Sequence, residues 1–130
     1  FSTARNLECS KIVAHHCSAG RARAYEGLLS CLGDSINVYM TDSSRWIQIV
    51  SGQARKETAL LDLFAQYDIL PEQVVVFGDD PPDLAMFRTF GVPIAMANAD
   101  SELKELAAFV TLRNDEDGVA PALENILQIA

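Results

Sequence analysis

The spacing of apolar and polar residues divides the chain into two regions. In the first region, β-branched and alternating segments predict three short strands around one helix. The strands are expected at Lys11–Cys17, Ile36–Thr41 and Trp46–Val50, and the helix at Ala22–Leu32, with Gly33 as its stop. Strand, helix and hairpin together predict a small α+β unit.

After residue 50, apolar runs typical of strands alternate with segments of helical periodicity. The strands are expected at Val74–Phe77, Val92–Met96 and Phe109–Leu112. The helices are expected at Lys56–Tyr67, Asp83–Phe90, Ser101–Ala108 and Gly118–Ala130. This alternation predicts an α/β fold, with right-handed crossovers and a parallel sheet covered by helices on both faces.

The predicted sheet looks incomplete. The uninterrupted apolar run Val74–Phe77 is typical of a strand that is buried on both faces and has a neighbour on each side. Three parallel strands are few for such a sheet, and an edge strand exposes unpaired backbone groups. We therefore expect the missing neighbour to lie upstream of Phe1, which is not an initiator methionine. We also expect the unpaired side of this strand to promote self-association.

Composition and charge exclude several classes of protein. The 130 residues are 49% hydrophobic, which indicates one globular domain or a domain with a fragment of a second. The net charge of −8 argues against nucleic acids and anionic membranes as partners. Only three cysteines occur, so we expect a reducing, cytoplasmic location.

The charge is unevenly distributed along the chain. Residues 1–50 carry five basic and four acidic residues, whereas residues 51–130 carry five basic and fourteen acidic residues. Together with the change in apolar spacing, this predicts one structural unit at 1–50 and another at 51–130.

The clearest candidate site is the segment Gly78-Asp79-Asp80-Pro81-Pro82-Asp83, which follows a predicted buried strand. Ligands of open α/β sheets bind at the carboxyl ends of the strands. Clustered carboxylates there suit Mg²⁺, which takes one or two protein carboxylates and shares its remaining positions with water and phosphate. A structural explanation is also open, since Asp80 could cap a helix and Asp83 could face its first turn. Asp79 has no such capping role.

Lys56 is a second candidate. It opens a predicted helix, where a cation is unfavourable with respect to the helix dipole, so another interaction could favour it there. Its ammonium could pair with phosphate and with the acidic segment. The alternative is an ordinary exposed lysine.

These residues carry a resemblance to a known family. Lys56, the following apolar strand and Gly78-Asp79-x-x-x-Asp83 resemble motifs three and four of the haloacid dehalogenase (HAD) superfamily. Ile94–Ala99 resembles the "(V/I)AMxNA" segment of the Cof-type phosphatases in that superfamily, and Val110–Val119 resembles their "VTxxNxEDGV" loop. The resemblance covers about residues 51–126, and residues 1–50 look like the last part of the α/β cap of these enzymes.

The resemblance implies a Mg²⁺-dependent phosphatase that acts on small phosphorylated metabolites such as sugar phosphates. It implies a Rossmannoid core in which Asp79 holds Mg²⁺ and Asp83 supports the metal or its waters. Lys56 would stabilise the phosphoryl group and the nucleophile. The resemblance gives Asp80, Asn98 and Asn114 no firm role, but they are candidates for contacts with the substrate or the metal's water shell.

Two departures from the family pattern matter. The nucleophile motif D-x-D-G-T is absent from all 130 residues, so we expect this chain to be inactive by itself. Asp80 and Pro82 also replace the two asparagines of the usual "GDNxND" segment. The alternative function is therefore a non-catalytic, truncated relative that binds a phosphorylated ligand or a partner protein.

Other chemistries have weaker support. Cys9, His15, His16 and Cys17 do not have the spacing of the usual zinc sites. No cysteine has a base at a recognisable spacing for nucleophilic catalysis. A receiver domain also has paired acidic residues after a strand, but its lysine comes late in the chain, whereas Lys56 precedes the acidic strand.

Overall fold

The computed structural model describes residues 9–15, 21–41 and 45–128. The chain forms two compact units, which divide between Ala54 and Arg55. The sequence predicts the break a few residues earlier, after residue 50. The assignment of the first unit to a cap and of the second to a hydrolase core stays a prediction.

The first unit is a three-stranded antiparallel sheet with one helix. Strands β1 (Lys11–His15), β2 (Ile36–Thr41) and β3 (Trp46–Ser51) pair in the order β1-β3-β2, and helix α1 (Arg21–Leu32) contacts β2. β2 and β3 form the predicted hairpin. The last two residues of the first predicted strand lie outside the described residues.

The second unit is a parallel sheet with helical crossovers, as the sequence predicts. Its strands β4 (Val75–Gly78), β5 (Val92–Ala95) and β6 (Phe109–Val110) pair in the order β4-β5-β6. The helices are α2 (Lys56–Ala65), α3 (Leu84–Thr89), α4 (Ser101–Leu106) and α5 (Val119–Leu127). The predicted α/β class is confirmed.

Several elements are shorter than the sequence predicts, for local reasons. α2 ends at Ala65 and not at Tyr67, and the chain then turns through Asp68, whose φ of 55° is left-handed. The helix predicted at Asp83–Phe90 is α3, Leu84–Thr89, and a 3₁₀ turn, Pro81–Asp83, precedes it. Proline donates no backbone hydrogen bond and disfavours the α conformation in the residue before it, which explains this irregular start.

The core of the second unit lies between the sheet and the helices. Its buried members are Val74, Val76, Met86, Phe87, Phe90, Ala95, Ala99 and Leu103. Phe64 of α2 packs edge-on against Phe90, with ring centroids 5.9 Å apart, and so joins α2 to this cluster. This packing holds the last turn of α2 against the end of α3.

β4 differs from its prediction in one respect. Val74 and Val76 are buried, but Val75 and Phe77 are only half-buried. Within the described residues, β4 pairs with β5 alone and is an edge strand. The prediction of burial on both faces is therefore wrong for the described residues, because the face that carries Val75 and Phe77 is only partly covered there.

No helix in the described ranges is long and apolar enough to cross a lipid bilayer.

Candidate active site

The carboxyl ends of the three parallel strands bring the predicted site residues together. Asp79 follows β4, Asn98 follows β5 and Asn114 follows β6. They lie at one edge of the sheet, where ligands of α/β folds bind. A pocket of about 350 Å³ opens there, lined by Lys56, Phe77, Gly78, Asp79, Asp83, Met86, Met96, Asn114 and Val119.

Asp79 is held by the loop that follows β5. Its Oδ2 accepts a hydrogen bond of 2.9 Å from Nδ2 of Asn98, and its main-chain oxygen accepts one of 3.1 Å from the amide of Asp100. Its other carboxylate oxygen, Oδ1, has no hydrogen-bond partner among the described residues. Asp79 lines the pocket and has one carboxylate oxygen that no described residue engages.

Asp83 is different, because both of its carboxylate oxygens are engaged within the chain. Oδ1 pairs with Nζ of Lys56 at 2.5 Å. Oδ2 accepts hydrogen bonds from the backbone amides of Asp79 at 3.1 Å and Asp80 at 3.4 Å. The side chain is only 7% exposed. Asp83 thus fixes the turn that follows β4 and the lysine beside it.

Gly78 makes this arrangement sterically possible. A Cβ atom at position 78 would lie 2.6 Å from Cβ of Asp83 and 2.8 Å from the ring of Phe87. Both distances are shorter than non-bonded carbon atoms tolerate. The glycine before Asp79 therefore lets the buried carboxylate of Asp83 approach the strand end.

Lys56 lies at the start of α2, as predicted, and its side chain remains 56% exposed. The ion pair with Asp83 is the additional interaction that its unfavourable position in the helix dipole suggests. The Lys56 side chain thus lines the pocket with its ammonium held by Asp83. It can therefore meet an anionic group that enters the pocket.

The other three predicted site residues, Asp80, Asn98 and Asn114, differ in their contacts and in whether they line the pocket. Asn98 joins two loops, since its Oδ1 also accepts a hydrogen bond of 3.0 Å from the amide of Asn114. Asp80 precedes the 3₁₀ turn in an extended conformation, which fits the structural explanation for that residue. Asn114 lines the pocket, whereas Asp80 and Asn98 are not among its lining residues.

The sequence does not predict the apolar side of the pocket. Phe77, Met86, Met96 and Val119 line it, and none was a candidate on chemical grounds. All four residues lie near the end of a strand or the start of a helix, and this position could have predicted that they line a pocket there.

The described residues include no group of three or more histidine, cysteine or acidic side chains placed to hold a metal ion. Mg²⁺ does not need such a group, because one or two protein carboxylates with water and phosphate complete its shell. Oδ1 of Asp79, to which no described residue donates, is a hard oxygen donor of this kind. The residues present therefore fit Mg²⁺ as a partial site. Two of the four residues considered for a zinc site, His16 and Cys17, lie outside the described residues.

Comparison with known proteins decides the family. The sequence model of a family described as haloacid dehalogenase-like hydrolase matches residues 3–123. The chain belongs to this family. The resemblance predicted from the motifs is confirmed, and a haloacid dehalogenase-like hydrolase of Bacteroides thetaiotaomicron shares the fold at 31% identity. In that comparison the TM-score is 0.76, and the match covers 95% of this chain and 46% of the other.

Curated relatives of this HAD-like chain are phosphatases by name. The 5-amino-6-(5-phospho-D-ribitylamino)uracil phosphatase YwtE of Bacillus subtilis (strain 168) is 43% identical over 81 residues, which cover 62% of this chain and 28% of YwtE. The phosphoglycolate phosphatase of Archaeoglobus fulgidus is 36% identical over 91 residues, which cover 70% of this chain and 41% of the relative. The chain thus matches less than half the length of either relative.

Proposed function

We propose that this chain is the C-terminal part of a Mg²⁺-dependent phosphatase that acts on small phosphorylated metabolites such as sugar phosphates. The observation that carries the proposal is the pocket at the sheet edge. It combines a carboxylate oxygen of Asp79 that has no partner among the described residues with the ammonium of Lys56, whose side chain is about half exposed. The phosphatases among the relatives support the same reaction class.

The carboxylate of Asp79 suits the positive charge of Mg²⁺, and the ammonium of Lys56 suits the negative charge of a phosphate ester. Asp79 would hold Mg²⁺ through Oδ1, while Asn98 keeps Oδ2. Lys56 would bind the phosphoryl oxygens from the other side of the pocket, and Asp83 would hold the lysine in place. Mg²⁺, when bound, would neutralise charge on the phosphoryl group during transfer. Asp80 and Asn114 stay candidates for contacts with substrate or with metal-bound water.

The nucleophile is not part of this chain. Phosphoryl transfer in this family, as the resemblance implies, uses an aspartate in a D-x-D-G-T strand, which these 130 residues do not contain. We propose that this strand belongs to a longer polypeptide and that the complete protein works in the cytoplasm. We also propose that its substrate is a small phosphorylated metabolite and that it binds neither nucleic acids nor membranes.

The test of this proposal compares the 130-residue chain with the protein that the complete open reading frame encodes. The coding DNA upstream of the Phe1 codon is sequenced, and both proteins are assayed with Mg²⁺ on a panel of sugar phosphates. We expect the 130-residue chain to show no turnover and the longer product to hydrolyse phosphate monoesters. Lys56→Ala in the longer product should lower kcat roughly 100-fold, the loss typical of a removed transition-state donor.

Two results would contradict the proposal. Turnover by the 130-residue chain that disappears in Asp79→Ala would reveal a nucleophile within these residues. An upstream strand without aspartates, or a start codon directly before Phe1, would instead favour the non-catalytic alternative. The absence of D-x-D-G-T from the present sequence is the observation that keeps that alternative open.

The free edge of β4 leads to a separate expectation about assembly. The described strands pair with β4 on one side only, and an exposed strand edge is a template for pairing with another chain. We therefore expect the 130-residue chain to form dimers or larger species as its concentration rises. Light scattering measures this directly, and a monomeric mass at high concentration would count against the prediction.

A further inference from the structure

We propose that Asn98 is a positioning residue, which orients the carboxylate of Asp79 so that Oδ1 is left for the metal. This inference rests on the proposed function, because it concerns the same site. Asn98 does not itself line the pocket, but its side chain contacts two residues that do, Asp79 and Asn114.

The two ends of the Asn98 amide contact two different loops. Nδ2 donates to Oδ2 of Asp79 at 2.9 Å, and Oδ1 accepts from the amide of Asn114 at 3.0 Å. A hydrogen bond to a carboxylate is charge-assisted and stronger than one between neutral groups. With one oxygen of Asp79 held in this way, the orientation of the whole carboxyl group is restricted.

The backbone around Asn98 is itself fixed on both sides. The amide of Ala97 donates to the oxygen of Leu112 at 3.2 Å, and the amide of Asp100 donates to the oxygen of Asp79 at 3.1 Å. The loop after β5 is therefore tied to both neighbouring loops before the side chain makes any contact. Asn98 is held in position by its backbone, and its side chain can in turn hold Asp79.

Asparagine is suited to this position because it offers a donor at one end and an acceptor at the other. Alanine would leave Oδ2 of Asp79 and the amide of Asn114 without these partners. Groups that orient metal-binding carboxylates matter for affinity, since their loss typically weakens metal binding roughly 10- to 100-fold. We expect the effect of Asn98 to be of this kind.

The test uses Mn²⁺ as a spectroscopic probe for the Mg²⁺ site in the 130-residue chain. Free Mn²⁺ is measured by electron paramagnetic resonance during titration of the wild-type chain and of Asn98→Ala. We expect Asn98→Ala to raise the Kd for Mn²⁺ roughly 10-fold. Mg²⁺ added to the wild-type complex should release the Mn²⁺.

Two control variants separate orientation of Asp79 from general loop stability. Thr111→Val removes the hydrogen bond of 2.6 Å from Oγ1 of Thr111 to the oxygen of Gly118. It loosens the loop that contains Asn114 without touching Asp79. Asn125→Ala makes the same chemical change as Asn98→Ala at an exposed position of α5. Both controls should bind Mn²⁺ as the wild-type chain does.

The outcomes distinguish this inference from the proposed function. A wild-type chain that binds no Mn²⁺ contradicts the proposed metal site and removes the basis of the inference. Wild-type binding that is unchanged in Asn98→Ala overturns the role of Asn98 and leaves the proposed function standing. Equal weakening by Asn98→Ala and Thr111→Val also overturns it, because loop stability alone then explains the loss.

Discussion

Replacing Asp79 by asparagine should weaken Mg²⁺ binding to the chain by roughly 100-fold, or about 2.7 kcal/mol. A carboxylate oxygen about 2 Å from a divalent cation contributes about 4 kcal/mol even at the dielectric constant of water. The amide of asparagine keeps an oxygen and recovers only part of this attraction. Isothermal titration calorimetry of both proteins measures the difference.

Asp62→Asn is the matched control for this prediction. It removes the same charge from an exposed position of α2, outside the pocket-lining residues. Salt screens the charge of an exposed side chain outside the pocket, so we expect nearly unchanged affinity. Equal losses in the two variants would show that net charge, and not the Asp79 ligand, controls Mg²⁺ binding.

Replacing Asp83 by alanine should lower the free energy of unfolding of the second unit by about 2–4 kcal/mol. The substitution removes the acceptor of the Asp79 and Asp80 amides and the partner of Lys56. The two amides are partly buried, and a donor that loses its partner away from water costs about 1–3 kcal/mol, whereas the half-exposed lysine can regain water. Urea-dependent hydrogen exchange of β5 amides measures the stability of this unit by itself.

Asp115→Ala provides the comparison for Asp83. Asp115 also forms an ion pair, with Nε of Arg113 at 3.1 Å, but both side chains are more than half exposed. Exposed pairs contribute about 0–1 kcal/mol, so the loss should be small. If Asp83→Ala destabilises the unit no more than Asp115→Ala does, Asp83 does not hold the turn.

The sequence predicts much of the second unit because local pattern and long-range packing agree there. Val74–Phe77 and Val92–Met96 are apolar runs between turn residues, so this local pattern is enough to predict the two strands. Their carboxyl ends must then meet at one edge, which places Asp79 near Asn98. The position of Lys56 at the first turn of α2 follows from the helical periodicity after it.

Other features depend on contacts that no local pattern contains. The sequence names Asp83 as a support for the metal or its waters, and only the structure shows that both of its carboxylate oxygens are engaged within the chain. The bridge from Asn98 to the amide of Asn114 joins residues sixteen positions apart. It depends on the spacing of two strands in the sheet, which the sequence does not specify directly.

The division of roles between Asp79 and Asp83 is the central claim, and a crystal structure of this chain grown with Mg²⁺ and inorganic phosphate tests it most directly. We expect Mg²⁺ on Oδ1 of Asp79, with Asp83 still paired to Lys56 and phosphate near the lysine ammonium. A Mg²⁺ ion bound by Asp83, with its pair to Lys56 broken and Oδ1 of Asp79 unused, would contradict the account.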